Sequence, residues 1–539
     1  MVRPGPKREG GVSQDLLVGV DVGTGSARAG IFTRDGQLLG RHESPILMRR
    51  QDANFAEHDS SQIWSAVCEA VRGALATAGA APDHVVGIAF DATCSLVVRD
   101  VHGQPVTVSR DGQDQWDTIV WLDHRALAEA GQCTATGHEV LDYIGGVMSP
   151  EMEVPKLMWL KRHLPQSWAR AGMMFDLADF LSWQATGSLA RSQCTLATKW
   201  TYIPHQATGW KTDFLAQVGL DDLIEKAALP EKASPVGADL GPLTAEAAAQ
   251  LGLTTACRVG AGVVDAYAGA IAELGPLSAD PARMNRHCAL IAGTSSCVMA
   301  MSGENTAIRG IWGPHLGTIL DGFWQLEGGQ SASGALLDHI VRWHSAGGEP
   351  NAARHKAICD RVMALRETEG RALGQRLHVL PDFHGNRSPL ADPNALGVIS
   401  GLTLDSDFDS LCRLYWRTSV GIALGIRHIL ETMRQGGYAI DHLHIIGGHT
   451  KNPLLMELYA DATGCTVIEP DSPDATLLGV AMIAANAAGL YPSLDKACLA
   501  MHQGGKVHAP NPAAQDQFGR DYRIFLQMLQ HRQALDAIR

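Results

Sequence analysis

No stretch of this 539-residue sequence runs unbroken through the roughly 20 apolar residues needed to cross a bilayer. The opening segment, MVRPGPKREGGVSQD, is polar, carries Gly and Pro, and lacks the apolar centre of a secretory signal. Residues 1–15 are therefore expected to be a mobile tail, on a cytoplasmic chain with no membrane partner. Positive charge is also short: 44 Lys and Arg stand against 57 Asp and Glu, for a formal net charge of −13. That balance argues against a nucleic-acid partner, which needs a basic face to neutralise phosphates. No C-x-x-C occurs among the 11 cysteines, whose nearest neighbours are Cys288 and Cys297. This argues against a zinc site and, in so long a chain, against a disulfide framework, leaving reduced thiols as the expectation.

What is present is a globular composition, 45% hydrophobic and 19% charged, on a chain too long for one ordinary core. Two domains follow. Leu16 to Val22 is a short apolar run that reads as a buried strand. A Gly-rich turn, Gly23-Thr24-Gly25-Ser26, leads to a second strand over Ala27 to Thr33, and Asp35-Gly36 then signals a hairpin. The pattern returns in the second half: Cys288 to Ala292, the turn Gly293-Thr294-Ser295-Ser296, then Cys297 to Met301. One strand–turn–strand of this kind is an ordinary hairpin. Two, one per half, suggest a duplicated architecture with a nucleotide between the halves. A helix is expected from Ser61 to Ala78, capped by Gly79, and a strand from Val85 to Phe90. Leu274 to Arg286, with its Gly, Pro, Asp and Asn, reads as an inter-domain linker.

Four segments can carry chemistry. In Gly19-Val-Asp21-Val-Gly23-Thr24-Gly25-Ser26, small residues let backbone N–H groups reach phosphate oxygens, and Asp21 can hold Mg²⁺ through water. It is not a Walker A loop, since no Gly-Lys-Ser/Thr follows, and no helix is expected after it. Ala292 to Ser296 is its partner turn. In Ile446-Gly447-Gly448-His449-Thr450-Lys451-Asn452-Pro453, two glycines at a strand end can lie against a flat ring, with Asn452 as N-cap and Pro453 opening a helix. Lastly, Asp265 sits among small and apolar residues just before the linker. In a duplicated fold this position faces the inter-domain cleft, where a carboxylate can accept a hydroxyl proton during phosphoryl transfer. A plain helix N-cap is the competing reading.

These segments, in this order, resemble the FGGY family of carbohydrate kinases over about Leu16 to Leu490. Phe55-Ala-Glu57-His58-Asp59, Asp176 to Trp183 and Gly397 to Leu402 fit as well. The resemblance implies two actin-like (ribonuclease H-like) α/β domains, duplicated, flanking a cleft for ATP and sugar. The expected division is residues 16–273 for sugar binding and the base, and 287–539 for the nucleotide. It implies Asp265 as catalytic base and Asp21 as organiser of Mg²⁺. Gly23, Thr24, Gly25 and Arg28 would line the phosphates from one domain and Thr294 and Ser295 from the other, with Gly447, Gly448 and Asn452 on the adenosine. ATP and Mg²⁺ are the expected co-substrate and cofactor. The family commonly dimerises, which leaves a homodimer open.

Weaker motifs resemble the D-ribulokinase-like, or pentulose kinase, branch: Asp91-Ala92-Thr93-Cys94-Ser95, Trp121-Leu-Asp123-His124-Arg125, and Phe383-His-Gly385-Asn386-Arg387. From that branch Ala92, Thr93, Asp123, Arg125, Lys199 and Glu327 are expected to face the sugar. A surface ion pair is the competing reading of Asp123 and Arg125, and His58 is expected to be structural. Val420 departs from an acid found in many members. The implied reaction phosphorylates a ketopentose, D-ribulose giving D-ribulose 5-phosphate. Kinases of xylulose, L-ribulose or a polyol such as ribitol remain as alternatives. From another class, so do an actin- or Hsp70-like nucleotide switch and a catalytically silent sugar sensor.

Overall fold

The computed structural model describes residues 15–52 and 54–538. Apart from Asp15, the expected tail over residues 1–15 lies outside them. Among the described residues no helix is long and apolar enough to cross a membrane.

Leu16–Val22 is a strand buried at every position. It pairs antiparallel with Ser26–Phe32 on one side and parallel with Val85–Ala92 on the other. Sheets of this type are covered on both faces, which is why the run is almost wholly apolar. The sheet has the order 239–242, 258–264, 85–92, 16–22, 26–32, 38–45. A second sheet repeats the plan. His287–Ala292 pairs antiparallel with Ser296–Ser302 and parallel with His442–Ile446. Its order is 312–316, 324–330, 296–302, 287–292, 442–446, 466–470, 505–508. In each sheet three antiparallel strands are followed by two parallel ones and an antiparallel edge. Strand 312–316 is the extra member of the second. The two halves are therefore actin-like duplicates.

Two helices lie between the sheets, and they tie the halves together. Asp265–Leu274 follows the last parallel strand of the first sheet and packs against Ala475–Ala487. Ala475–Ala487 belongs in sequence to the second half but covers strands 16–22, 85–92 and 258–264 of the first. The approach is close enough that a Cβ on Gly19 would strike the Leu477 carbonyl, and one on Gly479 the Ala268 carbonyl. Leu17, Ala89 and Val263 share one core with Leu477, Val480 and Ile483. The division of the chain near residue 273 is thus not a division of the core.

The segment expected as a linker is packed. It contains a 3₁₀ turn, Gly275–Leu277, and a short helix, Pro281–Met284, with Leu277 and Met284 buried. Its apolar side chains outweigh its Gly, Pro and Asp. A five-stranded sheet, in the order 49–52, 55–58, 118–119, 96–100, 171–176, is an insertion in the first half.

Candidate active site in the cleft between the halves

Parallel strands converge on the site from their carboxyl ends, where open α/β sheets bind ligands. Register pairs Asp21 with Asp91 on one side and Arg28 on the other, and pairs Asp91 with Val263. Asp265 follows this third strand directly and is the first residue of helix Asp265–Leu274, with Val264 in the cap position. The competing N-cap reading is thus off by one residue. Asp265 Oδ1 accepts the N–H of Ala266 at 2.7 Å. Three adjacent strands therefore each deliver one carboxylate to one place.

The electrostatics of this trio are unbalanced. Arg28 Nη1 lies 2.8 Å from Asp21 Oδ2 and is the cation paired with it. Burial raises Asp21 to about 6, against the pull of Arg28 and with Asp474 and Asp265 adding to the rise. Asp91 is fully buried, and neither of its oxygens has a donor. Burial first, then the charges of Asp21 and Asp265, push it well above the usual carboxylate range. As a carboxylic acid it can donate to Asp21, which removes the unpaired charge and favours ionised Asp21. Burial also raises Asp265, opposed by the Ala266 N–H, Lys199 and Arg28.

The two Gly-Thr turns face this trio. Gly23 N–H donates to Ser26 O at 3.0 Å and Gly293 N–H to Ser295 O at 2.9 Å, so both turns are tight. Trp121 Nε1 donates to Thr24 Oγ1 at 2.9 Å. His449 joins two loops of the second half: Nε2 lies 3.0 Å from the Gly293 carbonyl and Nδ1 2.8 Å from the Tyr459 hydroxyl. Burial lowers its pKa to about 4, so it is neutral near pH 7, with Nε2 carrying the proton.

Further along the cleft, Lys199 is buried, 3.8 Å from Glu327 and over the Trp312 ring at 4.6 Å. Burial works most strongly against its charge, but Glu327, Cys94, Glu151 and Cys297 together outweigh it and the pKa is raised. Tyr267 donates its hydroxyl to Glu327 at 2.8 Å.

The cleft has a volume of about 430 Å³. Asp21, Gly23, Thr24, Gly25 and Arg28 line it, as do Thr294, Ser295, Gly447 and Gly448. Thr93, Lys199, Asp265 and Glu327 complete the expected residues found there. Four expected residues do not line it. Ala92 is buried within its strand. Asn452 caps helix Pro453–Thr463, its Oδ1 accepting the N–H of Leu454 at 3.1 Å. The expectation that Asp123 and Arg125 hold the sugar is corrected. Their side chains are fully buried, and Arg125 bonds Asp123 at 2.7 Å and Glu57 at 3.1 Å. Arg125 also donates to Val108 O and lies over Phe55 and Trp159, so its donors serve the insertion's own core. The competing reading put this pair on the surface, and burial corrects that as well. His58 is buried, and burial lowers it to about 4.

Residues missed by sequence reasoning include Asp91, Trp121, Glu151, Cys297, Trp312 and Arg387. All but Asp91 line the cleft. Asp91 had a signal: Val20-Asp21-Val22, Phe90-Asp91-Ala92 and Val264-Asp265-Ala266 each put one acid between apolar residues at a strand end. Glu151 and Arg387 are 236 residues apart and meet only through the fold.

Among the described residues no group of three or more His, Cys, Asp or Glu is placed to hold a metal ion directly. The buried carboxylates of Asp21 and Asp265, with Asp91 protonated beside them, nevertheless suit a hydrated cation. Mg²⁺ typically keeps several waters and takes one or two carboxylates plus substrate phosphates.

Comparison with known proteins gives concordant results. Residues 16–272 match the N-terminal domain, and residues 288–488 the C-terminal domain, of the FGGY family of carbohydrate kinases. The chain is 43% identical to an FGGY carbohydrate kinase domain-containing protein of Danio rerio, over 95% of this chain and 97% of that one. It is 36% identical to a D-ribulokinase of Saccharomyces cerevisiae, over 88% of this chain and 72% of that one. A ligand-bound xylulose kinase from Lactobacillus acidophilus superposes with a TM-score of 0.80 at 19% identity, covering 97% of this chain and 98% of that one.

Proposed function

This chain belongs to the FGGY family of carbohydrate kinases, and we propose that it transfers the γ-phosphoryl group of ATP to a ketopentose, converting D-ribulose to D-ribulose 5-phosphate. The observation that carries this reading is the buried Lys199–Glu327 pair opening on the same cleft as Asp265 and both Gly-Thr turns. A nucleotide switch has no use for a buried, matched cation and anion beside a carboxylate base. A polyhydroxylated substrate does, because each hydroxyl needs a polar partner once water is expelled. Similarity to the yeast D-ribulokinase supports the choice of pentulose.

In this mechanism Lys199 and Glu327 hold sugar hydroxyls, and Thr93 closes the near side. Asp265 accepts the proton of the attacking hydroxyl as its oxygen bonds to the γ-phosphorus. The bond from phosphorus to the β-phosphate bridging oxygen then breaks, and ADP carries away that electron pair. The raised pKa of Asp265 brings it nearer the working pH, which favours a general base. Its hydrogen bond from Ala266 keeps one oxygen fixed. Backbone N–H groups and the hydroxyls of Thr24, Thr294 and Ser295 cradle the phosphates. Asp21, kept ionised by Arg28 and by protonated Asp91, would hold Mg²⁺ through water. The metal, when bound, would offset charge on the β- and γ-phosphates.

Coupled ADP release tests this, with Mg-ATP and D-ribulose, L-ribulose, D-xylulose, ribitol and glycerol. D-ribulose should give the largest kcat/KM. A larger value for another sugar replaces the substrate assignment, and no stimulation by any sugar removes the ketopentose reading.

A further inference from the structure

A second cavity, of about 370 Å³, lies beside the cleft. The two share three side chains: Glu151, Trp312 and Arg387. Glu151 comes from the first half of the chain and the other two from the second. Arg387 Nη2 donates to Glu151 Oε1 at 3.1 Å, and the two side chains are 8% and 14% exposed respectively. Burial opposes both charges, but each stabilises the other. Glu151 is held down to about 2, chiefly by Arg387 with help from His124 and Lys199, and Arg387 is raised by Glu151.

The Arg387 guanidinium also lies over Trp121 at 5.9 Å and Trp312 at 5.6 Å. Its stem passes Gly329, where any Cβ would strike it. A planar cation fixed by an ion pair, two indoles and a glycine floor is a rigid partition. On the cleft side this partition adjoins the proposed sugar site: Glu151 and Arg387 line one cleft with Lys199 and Glu327, and Lys199 and Arg387 both lie over the Trp312 ring. On the other side, the polar residues His124, Ser149 and Asn386 are among those lining the second cavity.

We propose that the Glu151–Arg387 pair is the end wall of the sugar pocket and sets the length of the ketose this enzyme accepts. The proposal rests on the sugar-kinase reading above. With the wall closed, carbons beyond the fifth, counted from the phosphorylated end, meet a buried, paired guanidinium. With it removed, they enter a cavity whose side chains can pair with additional hydroxyls.

The test compares kcat/KM for D-ribulose, D-fructose and D-sedoheptulose, of five, six and seven carbons, at saturating Mg-ATP. In the double variant Glu151→Ser/Arg387→Ser, which leaves no unpaired buried charge, the seven-to-five-carbon ratio should rise by roughly tenfold or more, the scale on which pockets discriminate carbon units. Adding Ala395→Phe, which fills the second cavity without touching the wall, should bring the ratio back towards that of the parent. A purely structural role would depress all three sugars alike and would not respond to the added Phe. An unchanged ratio in a folded double variant overturns the proposal. Should the double variant fail to fold, Arg387→Lys carries the test. It keeps the cation but loses the plane and reach, and the ratio should rise about threefold, a fraction of the full effect; no rise there overturns the proposal too. If the parent prefers a different sugar, the substrate assignment falls on that result alone. The wall is then judged by the same ratio between that sugar and its homologue two carbons longer.

Discussion

The two halves carry the same turn on the same strands, yet only one carries charge. In the first sheet the residue two before the turn glycine is Asp21, paired across strands with Asp91 and Arg28. In the second, the same position is Ile291, paired with Ile446 and Cys297. Duplication preserved the backbone geometry of the turn, while the ionisable groups at its strand positions stand on the first side only. The physical reason is repulsion. A nucleotide polyphosphate held between two carboxylate clusters would face negative charge from both sides, whereas one cluster can be offset by Arg28, Lys199 and a bound cation.

Asp265→Asn should break this asymmetry most deeply, by removing the proposed base. Loss of a general base costs about 10²–10⁴-fold in turnover, and the helix starting at residue 265 should remain, since Asn also accepts the Ala266 N–H. Near-normal kcat would exclude Asp265 from the chemistry. Lys199→Ala comes next. It should raise the sugar KM by roughly tenfold to a hundredfold, since it leaves the buried Glu327 without its cation at a cost of about 1–3 kcal/mol, and it should change the KM for Mg-ATP much less. Equal losses for both ligands would take Lys199 out of the sugar site.

The third test adds to the uncharged turn. Ile291→Asp would give the second turn the carboxylate it lacks. The KM for Mg-ATP should rise severalfold or more, with the effect falling as Mg²⁺ is increased. No change in KM would mean that charge placement in this cleft is indifferent. A pH titration is gentler. With Asp21 raised to about 6 and Asp265 also raised, the acid limb of kcat/KM should lie near pH 6 rather than in the ordinary carboxylate range. A limb below pH 5 would show that both carboxylates ionise normally in the working enzyme.

The smallest effect concerns stability. Asp91 has its pKa raised on folding, so its protonated form is the one the fold favours. That contribution is complete at acid pH and is lost as the pH rises through the folded-state pKa. Asp91→Asn keeps a neutral group at every pH. It should raise the melting temperature by a few degrees, a gain of about 1–3 kcal/mol, and the gain should widen as the pH rises above the ordinary carboxylate range. A gap that stays constant with pH would mean that Asp91 is not held protonated by burial.

Much of the scaffold was legible in the chain. Leu16–Val22 was bounded by its apolar run, Ser60–Ala78 by its periodicity and Gly79, and Pro453–Thr463 by Asn452 and Pro453. These signals are local: side-chain period, caps and turns act over a few residues. The segment at 274–286 misled because Gly, Pro and Asp mark a break in regular structure without saying whether the break is exposed. Asp123 and Arg125 misled for a related reason. An acid and a base two residues apart can face a ligand or each other, and only the packing of Phe55, Glu57 and Trp159 around them decides.

The sequence alone determined the duplicated strand–turn–strand units, the small residues of the phosphate turns and the acids at strand ends, because each depends on neighbours in the chain. The tertiary structure decided that helix Ala475–Ala487 closes the core of the opposite half, that Asp91 joins Asp21 through strand register, and that Glu151 meets Arg387 across the cleft. Those contacts join residues far apart in the chain, and no local propensity encodes them. They arise when two sheets bury their apolar faces against shared helices and so bring together charges that the sequence keeps apart.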